Sequence, residues 1–304
     1  MSIARFDGVA KWYGRVIGLV DVSLELPAGV IGLLGPNGAG KSTFLKLLTG
    51  QLFPSQGKVE VLGCDPFRTP SIYRRLGFCP EQDAFYESMR GRDFVRYLGA
   101  YQGLSGGTLT RAVDAALERV GLVEESKRRI RTYSKGMRQR IKLAQAIVHD
   151  PELLVLDEPL TGMDPVGRRK TIDLMAELGA EGRTVLVSSH VLHEVESMTR
   201  EVVLIYQGRV RAHGTVSEIR SYLDRYPYRM LVRSPQARDL ARALLALDSV
   251  TGVSLEGDRI HLTTLKPDEL CAALPSLVLD RDFVIEEFDA EDASLDAIFE
   301  YLVG

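Results

Sequence analysis

The sequence predicts an α/β protein with a helical insertion, followed by a small α+β domain. Short apolar or β-branched runs at residues 30–34, 153–156 and 184–188 are each followed by helix-like sequence. This alternation favours a mainly parallel sheet wrapped by helices. Residues 221–304 carry 8 Lys and Arg against 16 Asp and Glu, a balance of −8 that leaves +5 on residues 1–220. The shift in charge predicts a domain boundary near residue 221.

Apolar periodicity predicts the elements of the first domain, residues 1–220. Two helical stretches lie between the apolar runs and form a helical insertion at about 86–150. The predicted elements are, in order, strands at 3–9, 23–26 and 30–34, a helix from Lys41 to Gly50, helices at 89–121 and 135–149, and strands at 153–156 and 184–188.

The second domain, residues 221–304, has strand-like and helix-like segments in the order βαββαβ, which resembles a ferredoxin-like unit. No ligand set emerges from it, and an accessory dimerisation or regulatory role and a merely stabilising role both stay open. Its segments are strands at 229–233, 250–255, 259–263 and 283–288, and helices at 236–247, 267–277 and 295–302.

The composition limits the kinds of function. The 304 residues are 45% hydrophobic and 26% charged, an ordinary globular balance. No apolar run reaches the roughly 18 residues that span a membrane, and no secretory pattern opens the chain, so we expect a cytoplasmic protein. Cys64, Cys79 and Cys271 lack the spacing of a zinc site or a disulfide framework. Neither domain has a dense basic stripe, so nucleic acid is not an expected partner.

A glycine-rich segment follows the strand at residues 30–34. Its small residues let backbone N–H groups turn toward phosphates, helped by the positive end of the following helix. Lys41 can reach the β- and γ-phosphates, and the Ser42 hydroxyl can ligate Mg²⁺. The segment matches the P-loop pattern G-x-x-x-x-G-K-[ST] in its strand-to-helix setting and is called the phosphate loop below. It reads Gly35-Pro36-Asn37-Gly38-Ala39-Gly40-Lys41-Ser42-Thr43.

Two carboxylates follow the apolar run at residues 153–156. Ligands of α/β proteins bind at the carboxyl ends of strands, where this run delivers both groups. Asp157 suits the outer shell of a magnesium ion, and Glu158 is placed to polarise an attacking water. Acidic residues at such a position more often cap a helix, but the phosphate loop upstream favours the catalytic interpretation.

The motifs along about the first 220 residues resemble those of the ATP-binding cassette (ABC) family and follow one another in the same order. Tyr13, in the segment Lys11-Trp12-Tyr13-Gly14, is similar to the aromatic residue that stacks on adenine in that family. Gln82 corresponds to the glutamine that contacts Mg²⁺ and carries signals to the permease. His190 matches the switch histidine that holds the γ-phosphate and the attacking water.

Residues 133–139 depart from the family's Leu-Ser-Gly-Gly-Gln signature, because Lys135 and Met137 replace its first glycine and its glutamine. Ser134 and Gly136 remain. In the family this segment begins a helix that faces the γ-phosphate bound on the other protomer. If backbone N–H groups make most of the contacts with that phosphate, both side-chain changes can be accommodated. The variant resembles exporter ATPases whose permease is a separate membrane protein.

The resemblance implies a subunit that binds and hydrolyses ATP with Mg²⁺ between two protomers. Each site would combine the phosphate loop of one chain with the Ser134 segment of a second copy or of a paralogous ATPase. Asp164 matches the aspartate that crosses this interface, although Asp-Pro also closes an ordinary turn.

The resemblance also implies a separate integral membrane permease, which would hold the chain at the inner face of the cell membrane. The Gln82 region and the helices near residues 86–101 would push on it. A non-transport role, in which the ATPase regulates or remodels a membrane complex, stays open as the alternative.

Overall fold

The computed structural model describes residues 2–221 and 227–290. The chain divides after Gly214 into two compact units. Among the described residues, no helix is both long enough and apolar enough to cross a membrane. The helix predicted at residues 295–302 lies outside the described residues.

The first unit contains a parallel sheet, an antiparallel sheet and the helices around them. Its strands are β1 (Ala4–Tyr13), β2 (Val16–Leu26), β3 (Val30–Leu34), β4 (Gln56–Val61), β5 (Leu76–Cys79), β6 (Leu153–Asp157), β7 (Thr184–Ser189) and β8 (Glu201–Tyr206), with β9 (Arg209–Thr215) at the boundary. Its helices are α1 (Lys41–Leu48), α2 (Gly91–Tyr101), α3 (Gly106–Arg119), α4 (Lys135–Ile147), α5 (Pro165–Ala180) and α6 (Leu192–Glu196).

The predicted mainly parallel sheet is confirmed. Its strand order is β5-β6-β7-β3-β8-β9, and the pairs from β5 through β8 are parallel. Every residue of β6 and β7 is buried, because helices or a second sheet cover both faces. The second sheet has the order β2-β1-β4 and is antiparallel.

Two hydrophobic cores lie on opposite faces of the parallel sheet. One core contains apolar residues of α2, α3, α4 and α5. The other contains residues of α1 and of the antiparallel sheet, where the rings of Phe6 and Phe44 stack with centroids 4.3 Å apart. The helical insertion therefore packs on one face, and the helix after the phosphate loop packs on the other.

The predicted single helix at residues 89–121 is wrong, because the structure has two helices there, α2 and α3. Gly103 adopts a left-handed φ of 95° just after α2. The N–H of Leu104 donates to the carbonyl of Gly99 at 3.1 Å, which closes the helix end in a Schellman-type turn. Strands β4, β5, β8 and β9 were not predicted.

The second unit has the predicted βαββαβ order. Its elements are, after α7 (Val216–Ser221), β10 (Tyr228–Arg233), α8 (Ala237–Leu245), β11 (Val250–Glu256), β12 (Arg259–Thr264), α9 (Pro267–Asp280) and β13 (Glu287–Ala290). The antiparallel sheet has the order β11-β12-β10-β13, and a small core that includes Val232, Leu240 and Ile260 lies under the helices. The last strand begins later than the predicted range 283–288, since the first four residues of that range are not in a strand.

Candidate functional site

The order of the parallel strands collects the predicted site residues at one edge of the sheet. Strand β7 lies between β6 and β3, and β5 lies on the far side of β6. The carboxyl ends of these parallel strands therefore meet. They deliver the phosphate loop from β3, Asp157 and Glu158 from β6, His190 from β7, and the loop of Gln82 from β5.

Backbone crowding explains two glycines of the phosphate loop. A Cβ atom on Gly35 would come within 2.2 Å of the carbonyl oxygen of Ile205, and one on Gly40 within 2.7 Å of that of Gly18. Gly40 also has a left-handed φ of 114° at the position that caps α1. Both positions exclude a side chain, so glycine is required where the phosphate loop passes close to the backbone of β8 and β2.

The ammonium group of Lys41 lies at the centre of the site. Its Nζ atom donates to the carbonyl oxygen of Gly35 at 2.6 Å and lies 3.4 Å from Oε1 of Glu158. The side chain is only 7% exposed. A buried ammonium is stable only where polar partners surround it, so the loop and Glu158 together hold this cation at the strand ends.

Glu158 occupies a strained position between Lys41 and His190. Its φ of 49° is rare for a residue with a side chain and is typical of functional sites that the surrounding fold constrains. Its Oε2 atom lies 2.9 Å from Nδ1 of His190, whose side chain is 45% exposed. One carboxylate oxygen is thus held by the histidine, and the other faces the lysine.

Sequence reasoning missed Ser188 as a member of the site. Its buried hydroxyl donates to Oδ1 of Asp157 at 2.6 Å and accepts from the backbone N–H of Glu158 at 2.9 Å. The hydroxyl thereby holds the carboxylate of Asp157 and the backbone of Glu158 across the β6–β7 pair. The available signal was a small polar residue at the end of an otherwise apolar strand.

We expect Ser188→Ala to lower the free energy of unfolding by about 1–3 kcal/mol, because the buried N–H of Glu158 loses its acceptor. Urea denaturation measures this change. The matched control is Ser71→Ala, which removes an exposed hydroxyl from a short 3₁₀ helix. Equal stability of the two variants would contradict a bridging role for Ser188.

Tyr13 reaches the phosphate loop from the antiparallel sheet. Its hydroxyl lies 3.4 Å from Oγ1 of Thr43, and its ring is partly exposed. A Cβ atom on Gly18 would come within 2.9 Å of the tyrosine ring, so the glycine makes room for it. Lys11 places its Nζ atom 5.6 Å from the ring centroid.

Ser134, Gly136 and Asp164 form a second group. Ser134 caps α4 by accepting from the N–H of Met137 at 3.3 Å. Asp164 caps α5 by accepting from the N–H of Gly167 at 2.9 Å, and this hydrogen bond holds the pKa of the Asp164 carboxyl below its usual value. In the described part of the chain, these three residues form no hydrogen bond or ion pair with the phosphate loop.

Lys135, at a signature glycine position, packs against the second group. A Cβ atom on Gly162 would come within 2.2 Å of Cδ of Lys135, so the lysine stem lies directly over this glycine. Gln139 donates to the carbonyl oxygen of Thr161 at 3.1 Å. The start of α4 and the segment before α5 are therefore packed together, and the substitution at Lys135 contributes to that packing.

Three of the predicted site residues, Asp157, Ser42 and Gln82, carry oxygen atoms that could bind a metal ion. Asp157 is buried and uses one carboxylate oxygen on Ser188, Ser42 is half-buried in the first turn of α1, and Gln82 is exposed in the loop after β5. Carboxylate, hydroxyl and amide oxygens are hard ligands, which suit Mg²⁺ better than a thiophilic metal.

Comparisons with known proteins agree with this geometry. Residues 19–161 match the family described as "ABC transporter". The chain is 34% identical over 305 residues to a daunorubicin resistance ATP-binding protein of Streptomyces coeruleorubidus, covering 98% of this chain and 95% of that protein. It is 32% identical to a daunorubicin/doxorubicin resistance ATP-binding protein of Streptomyces peucetius, covering 98% and 91%.

A solved structure of an ATP-binding subunit of an ABC transporter has a similar fold. It superposes with a TM-score of 0.68 at 28% sequence identity, covering 73% of this chain and 93% of that one.

Proposed function

The chain belongs to the ABC transporter family, and from this premise we propose that it is the ATP-hydrolysing subunit of an exporter that drives a separate permease through ATP-dependent dimerisation. One observation carries the proposal: Lys41, Glu158 and His190 converge beside an open phosphate loop. This group combines a cation for phosphates with a constrained carboxylate for water, as ATP hydrolysis requires.

ATP binding would use the whole phosphate loop, Gly35 to Thr43. The backbone amides and the α1 dipole would hold the phosphates, and the ammonium group of Lys41 would exchange the Gly35 carbonyl for phosphate oxygens. The exposed ring of Tyr13 would stack on adenine. The Tyr13 contact with Thr43 places that ring beside the start of α1.

In hydrolysis, the oxygen of a water would bond to the γ-phosphorus while the bond from phosphorus to the β–γ bridging oxygen breaks. The proton of the water would pass to Glu158, and the electron pair would leave with ADP. Glu158 is suited to this task because His190 and Lys41 fix its carboxylate without consuming all its acceptor capacity.

Ser42 and Gln82 are proposed as protein ligands of Mg²⁺ because both carry hard oxygen donors, and Asp157 is proposed to act in the outer shell of the ion. The ion would supply charge neutralisation on the β- and γ-phosphates. The Ser188 hydroxyl donates to Oδ1 of Asp157. This hydrogen bond would orient the carboxylate, so that its second oxygen stays in a defined position.

Dimerisation is supported by the lack, in the described part of the chain, of any hydrogen bond or ion pair between the second group and the phosphate loop. Ser134 and Gly136 lie at the N-terminus of α4, where a helix attracts anions, yet in the described part of the chain they form no hydrogen bond with the phosphate loop of their own chain. We assign them, with Asp164, to the γ-phosphate bound by the partner, either a second copy or a paralogous ATPase.

A cavity of about 740 Å³ is proposed as the place where a permease helix docks. It opens between the parallel sheet and the helical insertion, beside the loop of Gln82, and Pro80, Phe85 and Leu98 contribute to its lining. Tyr101, which is 84% exposed, lies at its rim. A large exposed aromatic side chain is typical of a contact surface for another protein.

Export is supported by the two relatives named for drug resistance, because both match nearly the full length of this chain. Residues 1–220 are assigned to the ATPase, with the helical subdomain at about 86–150. Residues 221–304 are assigned an accessory dimerisation or regulatory role. A docked permease would place the chain on the cytoplasmic face of the cell membrane.

Affinity purification of the tagged chain from its native membranes tests the transport role. We expect an integral membrane protein without a cassette of its own to co-purify in about equal amount. Tyr101→Asp should reduce this recovery, while Leu245→Asp, on an exposed position of α8, should leave it unchanged. Absence of any integral membrane partner would overturn the exporter proposal.

A further inference from the structure

We infer that one of three side chains along α4 and just beyond it, Lys142, holds the loop of Gln82 against this helix, while the other two bind the edge of β5. These side chains, Lys142, Gln145 and His149, are called the polar ladder below. The inference assigns Lys142 as a positioning residue for Gln82, and it rests on the proposed ATPase function.

Side chains of the polar ladder supply hydrogen bonds that a second neighbouring strand would otherwise give to β5. Among the described strands, β5 pairs only with β6, so alternate carbonyl groups point away from the sheet. Gln145 donates its Nε2 hydrogen to the carbonyl oxygen of Phe78 at 2.7 Å, and Nε2 of His149 lies 3.1 Å from that of Leu76. These hydrogen bonds satisfy the exposed edge of the strand.

The geometry of a helix against a strand explains this match. Lys142, Gln145 and His149 are three and four residues apart, so they follow one helical face at intervals of about 4.5–6 Å. The carbonyl groups of alternate strand residues recur about every 6.6 Å. The two spacings are similar, so each ladder residue meets the next carbonyl group along the edge.

Lys142 extends the ladder from the strand into the loop of Gln82. Its Nζ atom lies 3.0 Å from the carbonyl oxygen of Pro80, 2.7 Å from that of Glu81 and 3.1 Å from Oδ1 of Asp83. These three acceptors match the three donors of an ammonium group, and the side chain is only 3% exposed. The contacts fall on both sides of Gln82, so they define the path of its backbone.

Arg138, one turn earlier on α4, reinforces the same loop. It forms two hydrogen bonds with the carboxylate of Glu87, at 2.6 and 2.9 Å, and its Nη1 atom lies 3.6 Å from Oδ2 of Asp83. The loop after β5 is therefore tied to α4 at two successive turns, while the same helix begins at Ser134.

The polar ladder also borders the proposed docking cavity, since Lys142, Gln145 and His149 all contribute to its lining. Burial lowers the pKa of His149, so its ring is neutral near pH 7 and donates through Nε2. A displacement of α4 would therefore move part of the cavity wall and the loop of Gln82 together.

Hydrogen–deuterium exchange of the full chain carrying Glu158→Gln tests the inference. With ATP and Mg²⁺ we expect slower exchange at residues 41–48 and at residues 80–87. Adding Lys142→Met should leave the response at 41–48 intact. At residues 80–87 the added substitution should make exchange at least about 10-fold faster and abolish the response to ATP, because the loop loses its hydrogen bonds to the Lys142 ammonium group.

Lys142→Arg should restore the slower exchange at residues 80–87 that ATP causes. Lys170→Met, which changes an exposed lysine on α5, should leave that response to ATP unchanged. In the chain with native Glu158, Lys142→Met should lower kcat about 10-fold or more with KM for ATP within about 3-fold, as expected for a positioning residue. A general loss of structure would raise exchange at both segments instead.

A retained ATP response at residues 80–87 in the Lys142→Met chain would overturn the inference while leaving the proposed function intact. No slowing at residues 41–48 in the parent chain would overturn the ATP-binding proposal and this inference with it. If Lys142→Met does not fold, Asp83→Asn serves in its place, because it weakens one of the three contacts from the surface side. An unchanged ATP response in that variant would overturn the inference.

Discussion

Lys41→Ala is expected to weaken ATP binding roughly 10- to 150-fold, as follows from the loss of one charge-assisted hydrogen bond worth about 1.5–3 kcal/mol. Hydrolysis should fall further, because the lysine also faces the carboxylate of Glu158 at 3.4 Å and helps to set its position. Isothermal titration with ATP and a phosphate-release assay measure the two effects.

The matched control is Lys46→Ala, which removes an exposed lysine from the last turn of the same helix. It should bind and hydrolyse ATP like the unchanged chain. Thermal unfolding without nucleotide shows whether each variant is folded. If folded Lys41→Ala binds ATP as tightly as the Lys46→Ala chain, the phosphate loop does not bind nucleotide as proposed.

Glu158→Gln is expected to lower kcat about 10²- to 10⁴-fold, because an amide cannot accept the proton of the attacking water. Binding should change little, since glutamine keeps the size of the side chain and an oxygen that can face His190. The variant should therefore trap ATP and elute as a dimer from gel filtration with saturating ATP and Mg²⁺.

Glu177→Gln is the control, since it changes an exposed carboxylate on α5 and should preserve kcat and elution behaviour. Two results of the Glu158→Gln experiment would each refute part of the proposal. A kcat close to that of the control would exclude Glu158 as the proton acceptor. A monomeric elution volume with ATP would exclude the dimer for the isolated subunit.

Contiguous motifs were the part of the site that the sequence could predict. The phosphate loop is predictable because its strand, glycines, Lys41 and helix start are neighbours along the chain, so local backbone geometry determines its shape. Asp157 and Glu158 were predictable for the same reason, as they end a buried apolar strand. The proposed roles of Tyr13, Gln82, Ser134, Gly136, Asp164 and His190 came from the family resemblance.

Element boundaries were less predictable where a turn interrupts a continuous apolar pattern. Residues 89–121 have helical periodicity throughout, yet α2 ends before Gly103 and α3 begins at Gly106. The break depends on a left-handed glycine and on hydrogen bonds at the helix end. Periodicity does not report these features, because both helices pack their apolar faces on one core.

The sequence by itself determined that this chain has a phosphate loop, a carboxylate pair after a buried strand and the ABC motif order. The tertiary structure decided how they cooperate. Strand order placed β7 between β6 and β3, which brought Ser188 to Asp157 and His190 to Glu158 across about 30 residues of sequence. The tertiary structure also placed Lys142 against the loop of Gln82, whose contacting residues lie 59 or more positions earlier in the chain. Local propensity cannot predict such contacts, because they depend on which strands and helices become neighbours when the core is buried.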